Sequence, residues 1–90
     1  MDKNKIVLGS LAMDLKRVAL GYRNGSLETA NRFFHEAIKR EKELDRKKLK
    51  PYLNKILKNV KDLLSNKDNE KIAEDALMYS TLFQNAVLVK

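Results

Sequence analysis

The stretch that decides the fold is YRNGSLETA, at residues 22–30, because it contains a complete turn between two helices. Asn24-Gly25 ends the first helix, since glycine readily adopts the left-handed conformation found just after a helix C-terminus. Ser26 is then the predicted N-cap of the second helix, and Glu28 places a negative charge in its first turn, where the helix dipole favours one. A connection this short favours antiparallel packing of the two helices.

Apolar residues recur at helical spacing on both sides of this turn. Upstream they fall at positions 7, 11, 15, 18 and 22, and downstream they continue through Ala30, Phe34 and Ala37. Two further breaks follow: Pro51 suits the first turn of a third helix, and Asp68, in the cluster 65–68, is the predicted N-cap of a fourth.

We therefore predict an all-α fold, an antiparallel up-down-up-down four-helix bundle with helices at about 4–23, 26–46, 50–65 and 69–88. The predicted core consists of Leu11, Leu15, Val18, Phe34, Ala37, Leu53, Ile56, Val60, Tyr79 and Phe83.

Composition favours one helical domain, residues 1–90, and excludes several kinds of chemistry. A chain with three glycines and one proline has few of the turns that an all-β fold requires. The absence of cysteine excludes disulfides, cysteine-ligated zinc, iron–sulfur clusters and thiol catalysis. The single histidine, His35, cannot form a zinc site alone. We predict no catalytic residue, metal, cofactor or small-molecule substrate, and hence a protein that is not an enzyme.

Two apolar runs indicate the cellular compartment in which the protein resides. Residues 6–13 are only marginally long enough for the apolar region of a signal peptide, and no cleavage site of the small-x-small type follows them. Residues 76–89 form the longest uncharged stretch, and their 14 residues fall short of the roughly 20 that a membrane span needs. We predict a cytoplasmic protein with no transmembrane segment.

The net charge of +7 is concentrated in residues 39–61, where ten basic residues outnumber three acids. The third helix begins among Lys47, Lys48 and Lys50, where each positive charge opposes the helix dipole by about a few tenths of a kcal/mol. Stability alone does not favour that placement. We predict a surface that binds nucleic-acid backbone or another polyanion without sequence preference, formed by Lys42, Arg46, Lys47, Lys48, Lys50, Lys55 and Lys58.

The make-up of this surface limits what it can recognise. Lysine outnumbers arginine by eight to two, and arginine is the residue that makes bidentate contacts with phosphates and bases. Tyr52 is the only aromatic residue among these charges, which provides little for base stacking. Two alternatives stay open: a solvated lysine-rich turn that keeps a small protein in solution, and contact with an anionic membrane surface.

Apolar residues exceed what a monomeric bundle needs, because residues 6–13 and 76–89 carry no charge on any face and helix four has two apolar stripes. In the predicted bundle the start of helix one and the end of helix four lie together, so the surplus would form one patch. We predict a homodimer whose interface includes Ile6, Leu8, Met13, Met78, Leu82 and Val89. The alternative is an irregular bundle that buries the surplus itself.

The hairpin at residues 22–38 has a family resemblance. Tyr22, Gly25, Ala30, Phe34, Ala37 and Ile38 resemble the helix–turn–helix of a tetratricopeptide repeat, and MIT-type and HEPN-type helical bundles use similar hairpins. The resemblance implies close packing of two helices at Ala30 and Ala37. The Tyr-to-Gly spacing is one residue short and no proline closes the unit, so the resemblance assigns no specific family and carries over no functional residue.

The overall prediction is a non-enzymatic interaction protein. The alternative is a small HEPN-like nuclease that uses Arg32 and His35, although HEPN ribonucleases place their histidine four to six positions after the arginine and here the interval is three. We predict that His35 lies on the surface, and that Glu70 and Glu74 complement the dipole of helix four rather than form a site.

Overall fold

The computed structural model describes residues 3–65 and 68–88. These residues form four α-helices, α1 (Lys3–Arg23), α2 (Leu27–Glu43), α3 (Pro51–Leu64) and α4 (Asn69–Leu88), and a 3₁₀ turn at Arg46–Lys48. No strand occurs in the two described segments, which confirms the all-α prediction. Val89 and residues 66 and 67 of the third break lie outside the described residues.

The helices run up-down-up-down, as predicted, with α1 packed along both α2 and α4. Asn4 at the start of α1 meets Asp45 beyond the end of α2. Tyr22 near the end of α1 lines a cavity with Glu70 at the start of α4. The order of these contacts makes α1 antiparallel to both neighbours, so the start of α1 and the end of α4 lie at the same end.

The turn at residues 22–30 is a Schellman motif, the helix ending that the glycine predicts. Gly25 has a φ of 74°, the Ser26 N–H donates to the Gly21 carbonyl oxygen at 2.8 Å, and the Gly25 N–H donates to the Tyr22 carbonyl oxygen at 3.3 Å. Ser26 precedes α2 as predicted, but its hydroxyl donates to the Thr29 hydroxyl at 2.8 Å and caps no backbone N–H. The side-chain part of that prediction is therefore wrong.

Small residues bring α1 close to α2 and α4. A Cβ atom on Gly21 would lie 2.7 Å from the Ala30 nitrogen, and Ala30 and Ala37 are fully buried, which confirms the close packing predicted for this hairpin. On the other side of α1, buried Ser80 donates a 2.6 Å hydrogen bond to the Ala12 carbonyl oxygen. In contrast, α3 fills its interface with leucine and valine side chains and approaches its neighbours less closely.

Seven of the ten predicted core residues are buried: Leu11, Leu15, Val18, Ala37, Leu53, Val60 and Phe83. Phe34, Ile56 and Tyr79 instead pack against the core from its edge and stay partly exposed. On α3 the centre of the buried face is Leu57, one residue after Ile56. Because one residue turns a helix by 100°, choosing the wrong one of two adjacent apolar residues moves the predicted contact from the middle of a face to its flank.

Three helix boundaries show how the sequence acts locally. Helix α2 ends at Glu43 rather than at 46, because the Asp45 carboxylate accepts a 3.1 Å hydrogen bond from the Lys47 N–H and so caps the 3₁₀ turn. Asp68 caps α4 as predicted, accepting from the Glu70 N–H at 3.1 Å. Pro51 stands in the first turn of α3, also as predicted.

Candidate functional site

The seven predicted basic residues are all exposed and lie around the connection between α2 and α3. Lys42 is in the last turn of α2, the 3₁₀ turn holds Arg46, Lys47 and Lys48, and Lys50 directly precedes α3, which carries Lys55 and Lys58. None of these six lysines forms an ion pair with a residue of the described segments. Their charges are therefore available to an external anion.

Arg46 differs from the lysines. Its guanidinium pairs with the carboxylate of Glu41, a residue on α2 whose side chain is nearly buried. A buried carboxylate needs a cation beside it, so Arg46 has a structural partner that a phosphate would have to displace. Of the seven predicted contact residues, Arg46 is the one least available for binding.

The connection that carries these charges is fixed at several points. The Asn4 side chain accepts from the Asp45 N–H and donates to the Asp45 carbonyl oxygen, both at 3.0 Å, and so ties the connection to α1. The Asn54 side chain donates to the Arg46 carbonyl oxygen at 3.0 Å and ties it to α3. Leu44 is buried in the core, and Leu49 packs against it. The lysines therefore project from a fixed backbone.

A groove between α2 and α3 brings a further lysine into the group. Its volume is about 220 Å³, and its lining consists of Ile38, Glu41, Lys42, Lys61 and Ser65. Lys61 is exposed and forms no ion pair in the described segments. The predicted contact residues omitted it, although it continues the stripe of Lys55 and Lys58 at intervals of three. We define the basic surface as Lys42, Lys47, Lys48, Lys50, Lys55, Lys58 and Lys61.

His35 and Arg32 are directed at different neighbours. The His35 ring meets the Phe34 ring edge-on with centroids 6.2 Å apart, and His35 is exposed, as predicted. The Arg32 guanidinium lies 5.6 Å from the centre of the Phe33 ring, and that of Arg17 lies 5.0 Å from it. The arrangement gives Arg32 a cation–π contact and does not pair it with His35.

The acidic residues of α4 do not assemble a site. Glu70 and Glu74 line an open cavity of about 460 Å³ together with Tyr22, Arg23 and Ala73. Within residues 3–65 and 68–88, no three histidine, aspartate or glutamate side chains lie close enough together to hold a metal ion. Glu70 stands in the first turn of α4, where the helix dipole stabilises a negative charge.

One buried carboxylate was not singled out by the sequence. Asp14 on α1 faces Arg40 of α2, with 3.8 Å between Oδ2 and Nε, and neither of those atoms has a hydrogen-bond partner among the described residues. Burial raises the pKa of Asp14 above its ordinary value of 3.8; Arg40 and Arg17 oppose that rise, and Glu36 adds to it. The ionised carboxylate is therefore less favourable in the folded protein than in the unfolded chain.

We expect Asp14→Asn to be at least as stable as the wild type at pH 7, because it removes this unfavourable ionisation. A raised folded pKa means that the wild type gains stability as pH falls through that pKa, with the full gain reached below 3.8. The advantage of the variant should therefore shrink toward pH 4. Urea unfolding of both proteins at several pH values measures it. A variant that is less stable at pH 7 would show that the ionised pair with Arg40 stabilises the fold.

The predicted dimer residues do not share one face. Leu8 is 3% exposed and belongs to the core, so it is not available to a partner, and Val89 lies outside the described residues. Met78 and Leu82 are exposed and continue the stripe of Lys71 and Asp75, which line a cavity between α3 and α4.

Ile6 and Met13 are also exposed, one above the other at an interval of seven on the side of α1 away from the core. Ser80 lies on the face of α4 that contacts α1. Met78 and Leu82 are each two residues from Ser80, and two residues turn a helix by about 200°, which places both side chains on the opposite face. Met78 and Leu82 thus point away from α1. The single patch predicted from the sequence is replaced by two separate stripes.

No described helix is long and apolar enough to cross a membrane. Comparison with protein-family models, with curated proteins and with solved structures gives no significant match. The resemblance of the 22–38 hairpin to repeat and bundle families therefore has no support beyond the hairpin's own geometry, and any function has to be inferred from the surface of the bundle.

Proposed function

We propose that this protein binds the phosphate backbone of nucleic acid, without sequence preference, through the basic surface, and that it acts as a non-enzymatic interaction protein in the cytoplasm. Seven exposed lysines, around the α2–α3 connection, along α3 and beside one groove, form no ion pair within residues 3–65 and 68–88, and this supports the proposal. Like charges held together repel one another, and an external polyanion relieves that repulsion.

The chemistry of the surface favours backbone contact over base recognition. Lysine is a flexible point charge that suits phosphate, whereas reading base edges depends chiefly on the planar guanidinium or on amides. Arg46, the one arginine among the predicted contacts, is already paired with Glu41. Binding through such lysines releases condensed counterions, so its strength should depend steeply on salt.

The test replaces Lys47, Lys48 and Lys50 with glutamine. On duplex DNA, the slope of log affinity against log salt concentration should become shallower by up to about 2.7, because each lost phosphate contact removes about 0.9 from the slope. The melting temperature should stay the same or rise slightly, since the substitutions remove positive charge from the start of α3. Fluorescence polarisation across a salt series and thermal unfolding by circular dichroism measure the two quantities.

A matched control replaces Lys16, Arg23 and Lys71 with glutamine. It removes the same charge from exposed positions on α1 and at the start of α4, outside the basic surface, and should change the salt dependence much less. Equal effects of the two triple variants would reject the basic surface as the binding site. Failure of the wild type to bind any DNA or RNA at about 50 mM salt, where backbone contacts are strong, would reject the function. Binding to anionic vesicles without binding to nucleic acid would replace it with membrane contact.

We also propose self-association through one of the two apolar stripes. Met78 and Leu82 on α4 support this proposal more than Ile6 and Met13 do, because the α4 stripe adjoins a cavity between two helices. Sedimentation velocity of the wild type at tens of micromolar, compared with Leu82→Glu and Met13→Glu, decides whether the protein associates and through which stripe.

A further inference from the structure

We propose that Tyr52 stacks on a nucleotide base and that the basic surface therefore prefers single-stranded to double-stranded nucleic acid. This inference rests on the proposed function and specifies its substrate class. It assigns a role to an aromatic side chain that the fold itself does not use.

Tyr52 stands out among the three tyrosines of the chain. It is 52% exposed in the first turn of α3, whereas Tyr22 and Tyr79 are partly buried and pack against the core. Within the described segments Tyr52 has no side-chain hydrogen bond, ion pair or aromatic contact. Neither the core nor any polar network accounts for a tyrosine at this position.

The surroundings of Tyr52 are cationic and fixed. Lys55 lies three residues after Tyr52 in α3, which places these two side chains next to each other on one face of the helix. Lys50 lies two residues before Tyr52, just ahead of the helix. Pro51 restricts the backbone just before the ring, and buried Leu53 anchors the backbone just after it. The ring thus projects from an ordered backbone, with Lys55 about one helical turn further along α3 and Lys50 two residues before it.

This combination of groups distinguishes single strands from duplexes. The face of an exposed aromatic ring can stack on any base, but only a single strand presents bases whose faces are free. A duplex offers its phosphates to the same lysines and leaves the ring with nothing to stack on. The lysines therefore supply the salt-dependent part of binding, and Tyr52 supplies a part that depends little on salt.

The first experiment compares Tyr52→Ala with the wild type on an oligothymidine strand and on a blunt-ended duplex with a similar number of phosphates. We expect the variant to bind the single strand about 5- to 150-fold more weakly, the range of one base–aromatic stack, with its salt slope unchanged. Duplex affinity should hardly change. Tyr52→Phe keeps the ring and should retain single-strand affinity, and Leu27→Ala serves as the matched control, because Leu27 is a similarly exposed apolar residue at the start of α2, outside the basic surface and both apolar stripes.

The second experiment uses Tyr52→Trp as a probe, because the natural chain contains no tryptophan. Stacking against thymine should quench its emission on adding oligothymidine, and the blunt-ended duplex should leave the emission nearly unchanged. Circular dichroism of each variant checks that the helices are intact. Both readouts report contact with the ring itself, which a purely structural role for Tyr52 would not produce.

Equal binding of single strand and duplex by the wild type, together with no loss in Tyr52→Ala, would overturn this inference and leave the salt-dependent backbone binding in place. Binding of neither nucleic acid would reject the proposed function as well. The two failures are thus distinguishable in one set of titrations.

Discussion

Replacing Phe83 with alanine should lower the free energy of unfolding by about 3–5 kcal/mol. Phe83 is the largest fully buried side chain among the described residues, and its removal leaves a cavity in the core that its neighbours can only partly fill. A domain of this size is stable by roughly 5–10 kcal/mol, so the variant should lie close to the limit of folding at 37 °C. Urea unfolding followed by circular dichroism at 25 °C measures the loss.

The neighbouring residue provides the control for this prediction. Leu82 is 41% exposed, and Leu82→Ala removes apolar atoms that are largely in contact with water, so its effect should stay within about 1 kcal/mol. A loss below about 1 kcal/mol for Phe83→Ala, or equal losses for both variants, would contradict the packing of α4.

Replacing Gly21 with alanine should lower the free energy of unfolding by about 1–3 kcal/mol, although alanine is the better helix former. The new Cβ would lie 2.7 Å from the Ala30 nitrogen and 2.9 Å from the Ala30 Cα. Both are backbone atoms, which cannot rotate away as a side chain can. Helices α1 and α2 would have to separate along the interface that the turn at residues 22–30 establishes.

Gly9 provides the control for this prediction, because it lies in the same helix as Gly21. A Cβ on Gly9 meets nothing within 4 Å, so Gly9→Ala should raise stability by about 0.5–1 kcal/mol through lower chain entropy in the unfolded state. The same substitution in one helix should thus have opposite signs at the two positions. If thermal unfolding shows both variants to be stabilised, the close approach of α1 and α2 at Gly21 is incorrect.

Local signals in the sequence predicted most of the fold. The glycine at 25, the proline at 51 and the aspartate at 68 act on the few residues beside them, and each ends or starts a helix where predicted. Asp45 escaped notice because the charges around it continue the polar face of α2. The end of α2 before Asp45 also depends on Asn4, which lies 41 residues earlier in the chain, and no local sequence pattern predicts that contact.

The candidate site was predictable in composition and less so in detail. The basic residues concentrated in positions 39–61 lie around the α2–α3 connection, and their role in binding stays a prediction. The pairing of Arg46 with Glu41 and the inclusion of Lys61 depend on how α2 and α3 cross, which apolar periodicity does not specify. The separation of the apolar stripes likewise depends on the rotation of α4 about its axis, since a small rotation decides which side chains α1 covers.

The two close interfaces of α1 differ greatly in the length of chain that each must close. The α1–α2 contact needs a connection of three residues, whereas the α1–α4 contact, held by Ser80 and Ala12, joins positions 68 residues apart. Loop closure over a longer chain costs more entropy, so we expect the α1–α2 hairpin to form early in the folding transition state and the α1–α4 seam to form late. Until α4 docks, the small-residue side of α1 around Ala12 and Ala19 stays open to water. That side of α1 is therefore the surface on which a newly synthesised chain is most vulnerable to aggregation.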